Sequence, residues 1–139
     1  MNINEAMQRL KDNRHKITNQ RKAILTYFSR EDDGYRNAKA LLAYLNTIDD
    51  GISVDTVYRN LYLYDELGIL ETTELDGEKY FRLNCSEHHH HHFICQVCGK
   101  TKEIPICPMD EIKHSLQDFQ ISDHKFEVYG YCPTCQNDA

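Results

Sequence analysis

Two Cys-x-x-Cys pairs constrain this chain more than any other feature of its sequence. The first pair is Cys95 and Cys98, and the second is Cys132 and Cys135. A two-residue gap lets both sulfurs of a pair point at one ion, and two such pairs supply the four thiolates of a tetrahedral zinc site. Redox dithiols are the alternative, but that chemistry does not need two pairs. The sequence therefore predicts one structural zinc whose filled coordination shell leaves no position for a substrate.

The metal-type residues and the charges divide the chain at Asn84. Residues 85–139 contain all six Cys and every His except His15. Residues 1–30 contain seven Lys and Arg against two acidic residues, although the 139-residue chain has a net charge of -6. An acidic average does not exclude DNA binding, because affinity depends on the local face presented to phosphate. We expect two domains, 1–84 and 85–139, with the metal chemistry in the second.

The location of the protein is predicted from what its sequence lacks. No apolar run approaches the roughly 18 residues of a membrane helix. Residues 1–11 lack the apolar core of a signal peptide. We therefore expect a soluble, cytoplasmic protein with no membrane partner. In that reducing compartment cysteines bind metal more often than they form disulfides.

Apolar residues at helical spacing predict four short helices within residues 1–68. Thr18, Asn37 and Ser53 are expected to cap the second, third and fourth of these helices, because their side chains can accept from free backbone N–H groups. Gly68 is expected to end the fourth helix. The predicted apolar face of that helix consists of Val54, Val57, Leu61 and Tyr64.

Two β-prone runs follow Gly68 and flank Asp76-Gly77. This dipeptide is typical of a two-residue hairpin turn, in which both central residues need positive φ. Counting back from the turn places Glu71 opposite Arg82. Helix, turn, helix and hairpin in this order predict a winged helix-turn-helix, and the whole chain is expected to be α+β, with a small α/β zinc-containing domain after the wing.

The solvent face of the fourth predicted helix carries side chains that can read DNA. An Arg can donate two hydrogen bonds to guanine, and a Tyr ring can touch thymine methyl groups. Basic side chains elsewhere can contact phosphates without reading sequence. A solvated helix face would show the same spacing, so this segment alone leaves both interpretations open. The expected DNA contacts are Tyr58, Arg59, Tyr62, Lys16 and Arg21.

A run of five histidines lies directly before the first Cys pair. Side chains alternate along a strand, so His90 and His92 would face one side and His89 and His91 the other. One strand could then serve two metal sites. The alternative is that each of these histidines is a solvated surface residue.

The residues near each side of that strand suggest the remaining ligands. A thiolate on the first side favours zinc over iron or manganese. The predicted first site consists of Glu71, Cys85, His90 and His92, with Glu74 as a rival for the carboxylate. The predicted second site consists of His89, His91, Asp110 and His124. Cys85 could instead be a buried apolar thiol. No role is assigned to Cys107, His114 or His15.

With these residues in place, the sequence resembles the ferric-uptake-regulator superfamily of bacterial metal sensors over nearly its whole length, and most closely its zinc-uptake-regulator branch. The segments that carry the resemblance are 53–61, 66–69, 85–95 and the two Cys pairs. The resemblance implies a homodimer with an N-terminal winged-helix domain and a C-terminal dimerisation domain. It also implies zinc-dependent binding to palindromic AT-rich operator DNA and repression of zinc-uptake genes.

Carried over by position, the resemblance supports the residue assignments above. Tyr58 and Arg59 match recognition-helix contacts, and Lys16 matches a basic residue near the minor groove. A regulatory zinc site of the superfamily is matched by Glu71, Cys85, His90 and His92. An additional site is matched by His89, His91, Asp110 and His124. Each subunit would thus hold one structural zinc, one regulatory zinc and potentially a third.

Two departures from the superfamily pattern bear on the metal. Iron and peroxide sensors of the superfamily usually have a His in the loop before the third helix, and residues 34–37 contain none. Glu71 stands where some relatives have Asp, which changes reach but not charge. We therefore predict a zinc-responsive repressor, with an iron- or peroxide-sensing repressor as the alternative.

An enzyme is the competing class of function. A zinc hydrolase would need an open coordination position and a general base. Sites with four protein ligands argue against that chemistry. We expect no enzymatic activity and no small-molecule substrate.

Overall fold

The structure, a computed structural model, describes residues 1–30, 34–49, 51–84 and 91–136. It consists of two compact units, Met1–Glu87 and His88–Ala139. Both contain helices and short strands, which confirms the predicted α+β class. In the described ranges, no helix is long and apolar enough to cross a membrane.

Four helices form most of the first unit, and each begins at a side chain that accepts a hydrogen bond from a backbone N–H three residues ahead. The predicted caps Thr18, Asn37 and Ser53 are confirmed, and Asn2 caps the first helix in the same way. Such a cap stabilises a helix by about 1 kcal/mol. The helices are α1 Ile3–Asp12, α2 Asn19–Phe28, α3 Ala38–Asn46 and α4 Val54–Glu66.

The first unit has a continuous apolar core to which all four helices contribute. Leu61 and Tyr64 of α4 are fully buried, and Val57 is 1% exposed. Val54 differs from the prediction, since it is 50% exposed on the first turn of the helix. Buried core residues on the other three helices include Leu10, Leu25, Leu41 and Leu45.

A β-hairpin completes the first unit. Strands β1 (Leu70–Leu75) and β2 (Glu78–Leu83) pair antiparallel, with Glu71 opposite Arg82 as predicted. Asp76 has φ 52° and Gly77 has φ 79°, which confirms the turn chemistry. The fold therefore presents α4 and a wing, the pair of elements that a winged helix uses on DNA.

The second unit contains a three-stranded sheet and one short helix. Its elements are β3 His91–Cys95, β4 Thr101–Ile104, α5 Met109–Ser115 and β5 Glu127–Gly130. The strand order is β4-β3-β5, with β4 antiparallel and β5 parallel to β3. Because β3 and β5 are parallel and Cys95 pairs with Gly130, the carboxyl ends of the two strands lie side by side at one end of the sheet.

Candidate metal centres and nucleic-acid interface

The four cysteines of the two pairs come together at the carboxyl ends of β3 and β5. Each pair lies at the end of a strand, and the parallel register of β3 and β5 sets the two pairs side by side. All four sulfurs lie within 4.8 Å of one another, and the sulfurs of Cys98 and Cys132 are 3.8 Å apart. A tetrahedron with Zn–S bonds of about 2.3 Å has edges of about 3.8 Å. The cluster therefore fits the structural zinc that the sequence predicts.

Backbone N–H groups point into this cluster and stabilise thiolate. Burial opposes ionisation of Cys95, but backbone hydrogen bonds from Cys98, Cys132 and Val97 lower the pKa of its thiol to about 6. The pKa of Cys132 is also lowered, first by a backbone hydrogen bond at Cys135. Hydrogen bonding with Cys132 is the main cause that raises the pKa of Cys135, to about 12. Two of the thiols thus have lowered pKa values, and a bound cation would deprotonate the others.

A second cluster in this unit consists of His91, Cys107 and His124. The Nε2 atom of His91 lies 3.3 Å from the Cys107 sulfur, and that sulfur lies 3.8 Å from Nε2 of His124. The two imidazole rings are 5.3 Å apart between centroids, and Phe126 packs edge-on against His91. His91 is buried and the other two residues are half-buried. This grouping places a thiol and two imidazoles within reach of one ion.

This cluster agrees only in part with the predicted third site. His91 and His124 are brought together as the sequence predicts. Cys107, to which sequence reasoning assigned no role, is the third member of the group. Asp110 is exposed on the first turn of α5 and does not belong to the group. His89 lies outside the described residues.

Two of the four residues predicted for the regulatory site are described, one in each unit. The carboxylate of Glu71 forms an ion pair with the guanidinium of Arg82, at 3.2 Å between Oε1 and Nε. His92 lies on β3 between Glu103 of β4 and Glu127 of β5. Glu74, the rival carboxylate, is exposed on β1. Cys85 and His90 lie outside the described residues.

The outer face of α4 carries the predicted DNA contacts. Tyr58 and Tyr62 are 42% and 52% exposed, with ring centroids 6.0 Å apart, and Arg59 is exposed beside them. From the wing, the Lys79 Nζ atom lies 5.4 Å from the Tyr62 ring. Helix and wing thus form one continuous surface with two cationic side chains and two aromatic rings.

The two predicted phosphate contacts outside α4 differ in their surroundings. Lys16 is exposed. Arg21 donates from Nε to Asn60 of α4 at 3.1 Å and from NH1 to the Lys16 carbonyl at 2.7 Å, while its own carbonyl accepts from the Tyr64 hydroxyl. These bonds link α2 to α4. Arg21 therefore holds the exposed helix in place, a role that sequence spacing did not reveal.

A winged-helix unit with an exposed cationic and aromatic helix, followed in the same chain by a unit with two metal-ligand clusters, is typical of metal-binding transcription regulators. The chain belongs to the Ferric uptake regulator family, whose model matches residues 12–129. The Ferric uptake regulation protein of Staphylococcus epidermidis is 52% identical over 139 residues, which is 100% of this chain and 99% of the relative.

Solved structures agree with this assignment. The Vibrio cholerae ferric uptake regulator is similar with a TM-score of 0.71 and 29% identity, over 90% of this chain and 98% of that one. A zinc uptake regulator complexed with zinc and DNA is similar with a TM-score of 0.69 and 25% identity, over 98% and 93% of the two chains. The protein is therefore a metal-binding, DNA-binding regulator of this family. The comparisons show the family but not the predicted zinc branch, because a zinc uptake regulator is among the similar structures whereas the relative that is 52% identical is named a ferric uptake regulation protein.

Proposed function

We propose that this regulator binds double-stranded operator DNA as a homodimer when a metal ion fills its sensor site, and that it then represses genes for uptake of that metal. The observation that carries the proposal is the exposed surface formed by α4 and the wing. It combines Arg59 and Lys79 with the rings of Tyr58 and Tyr62. The opposite face of α4 packs in the core of the first unit.

DNA contact through this surface divides into reading and positioning. Arg59 would donate to guanine in the major groove, and the tyrosines would touch thymine methyl groups, as expected for an AT-rich site. Lys16 and Lys79 would contact phosphate and supply affinity that depends on salt rather than sequence. Arg21 would act indirectly, because its bonds to Asn60 and to the Lys16 carbonyl fix α4 relative to α2.

Dimerisation would use the second unit. Its sheet ends in β5, where Val128 and Tyr129 are 40% and 44% exposed. Phe119, between α5 and β5, is 69% exposed. Apolar exposure of this extent is typical of a surface that another chain covers. Two copies joined here would present two α4 helices to a palindromic site.

The proposed sensor site consists of Glu71, Cys85, His90 and His92. The name of the staphylococcal relative, Ferric uptake regulation protein, favours iron as the metal, and Fe²⁺ accepts carboxylate and imidazole donors. Zinc is the second candidate, because Cys85 would place a thiolate in the site and thiolates select zinc. In either case Glu71 would exchange its partner Arg82 for the ion, so metal binding would be coupled to the base of the wing.

Metal competition decides between the two candidates. DNA binding would be followed by fluorescence anisotropy on an AT-rich palindrome while free Fe²⁺ or Zn²⁺ is buffered over a wide range without oxygen. If iron is the effector, Fe²⁺ restores binding at physiological free iron and Cys85→Ser changes that response little. If zinc is the effector, Zn²⁺ acts at far lower free concentrations and Cys85→Ser abolishes its effect. A response to neither ion would contradict the proposed function.

A further inference from the structure

We propose that the additional metal site expected at His91 and His124 is a zinc site whose third protein ligand is Cys107, and not Asp110. This inference concerns the second unit alone and does not depend on the proposed DNA binding. It assigns a role to a cysteine that stands outside both Cys-x-x-Cys pairs.

The separations in the cluster fit one tetrahedral ion. With Zn–N bonds of about 2.05 Å and a Zn–S bond of about 2.3 Å, the nitrogen-to-sulfur edge of a tetrahedron is about 3.6 Å. The observed edges are 3.3 Å from His91 and 3.8 Å from His124, on either side of that value. Both imidazoles present the same atom, Nε2, to the sulfur, so both rings point inward at one position.

The cluster also lies where an ion would tie separate segments of the unit together. It joins the start of β3 to the β4–α5 connection and to the α5–β5 connection. Met109 is the one buried residue of α5. Apolar packing therefore holds the segment between β4 and β5 only weakly. One buried cluster of the unit consists of Cys95, Cys132 and Cys135, with Phe93 packed against it. Small units with little core depend on metals for stability.

The chemistry of the donors sets the metal. Two imidazoles and one thiolate suit zinc, whereas iron and manganese favour sites completed by a carboxylate. With Cys107 as ligand, this site would hold zinc whichever ion the sensor site detects. With Asp110 as ligand, it would accept the harder metals as well.

Cobalt replacement tests the ligand directly. A variant carrying Cys85→Ser removes the other thiol outside the four-cysteine cluster, and that cluster is left loaded with zinc. The remaining sites are stripped with a chelator and titrated with Co²⁺. We expect one tightly bound Co²⁺ with a sulfur-to-cobalt charge-transfer band in the near ultraviolet. Adding Cys107→Ser should abolish the band and weaken zinc binding at this site at least about 100-fold, since even indirect changes around metal ligands cost 10–100-fold. Adding Asp110→Asn should leave both unchanged.

Matched measurements keep the result unambiguous. Retention of one zinc per subunit in every variant shows that the four-cysteine cluster and its fold persist, and His124→Ala, a change at a different ligand, should reproduce the loss of affinity. The proposal is overturned if the charge-transfer band survives Cys107→Ser, or if Asp110→Asn removes the ion while Cys107→Ser does not. It is also overturned if no Co²⁺ binds at His91 and His124, because the cluster would then be a set of hydrogen bonds.

Discussion

Replacing Cys132 by Ser should unfold the second unit while the first unit stays folded. A structural zinc contributes about 10–16 kcal/mol, so one of four equal bonds is worth about 2.5–4 kcal/mol. At about 0.05–0.15 kcal/mol per residue, a unit of the length of residues 88–139 has a total stability of about 3–8 kcal/mol. Three of the zinc cysteines, Cys95, Cys132 and Cys135, form a buried cluster of this unit against which Phe93 packs. Losing the ion therefore removes most of what holds the unit together.

Hydrogen exchange measured by mass spectrometry on the full chain reports each unit separately. In Cys132→Ser we expect loss of protection where β3 pairs with its neighbours, for example at the Cys95 amide bonded to Lys100 and the Gln96 amide bonded to Gly130, both at 2.8 Å. The α4 amides should remain protected, because the first unit has its own core. Cys107→Ser is the matched control and should keep the four-cysteine zinc. Wild-type protection of β3 in a zinc-free Cys132→Ser protein would refute this reasoning.

Three further predictions concern the first unit. Arg59→Ala should weaken operator binding about 5- to 150-fold, the equivalent of one lost bidentate contact of about 1–3 kcal/mol, and an unchanged Kd by anisotropy would exclude Arg59 from base reading. Burial raises the pKa of Tyr64, so the folded unit resists ionisation there and loses stability as pH rises above about 10. Tyr64→Phe should lower the free energy of unfolding by about 1 kcal/mol at neutral pH, because the hydrogen bond to the Arg21 carbonyl is lost. In chemical denaturation, this variant should lose less stability at alkaline pH than the wild type or the exposed control Tyr62→Phe. Gly77→Ala should lower the free energy of unfolding by about 1–2 kcal/mol. The cause would be backbone strain alone, because φ is 79° and no atom lies within 4 Å of the added methyl group. A neutral effect in urea denaturation would show that the turn relaxes.

Local rules predicted the first unit well. The caps at Thr18, Asn37 and Ser53 were read correctly, because a cap depends on a side chain and a backbone group three residues apart. The hairpin register was read correctly because a two-residue turn fixes which residues face each other. Such features depend only on residues that are close together in the sequence.

Some features set by distant packing were not predicted. The hydrogen bond from Arg21 to Asn60 joins residues 39 positions apart, and no local pattern marks it. Cys107 lies in a connection with no periodicity, so its approach to His91 and His124 emerges only when β3, β4 and β5 are assembled. The resemblance pointed to Asp110, which the fold leaves exposed on α5. The available signal in the sequence was a cysteine outside both Cys-x-x-Cys pairs in the metal-rich half of the chain.

The metal dependence of DNA affinity tests the central claim most directly. Anisotropy of a labelled AT-rich palindrome would be measured with protein that retains its four-cysteine zinc, first with the sensor site stripped and then with Fe²⁺ or Zn²⁺ restored. We expect the restored metal to tighten binding about 5- to 150-fold, the range of couplings of 1–3 kcal/mol, and DNA to tighten metal binding by the same factor. Equal DNA affinity with and without metal would contradict the account, because metal and DNA would then bind independently.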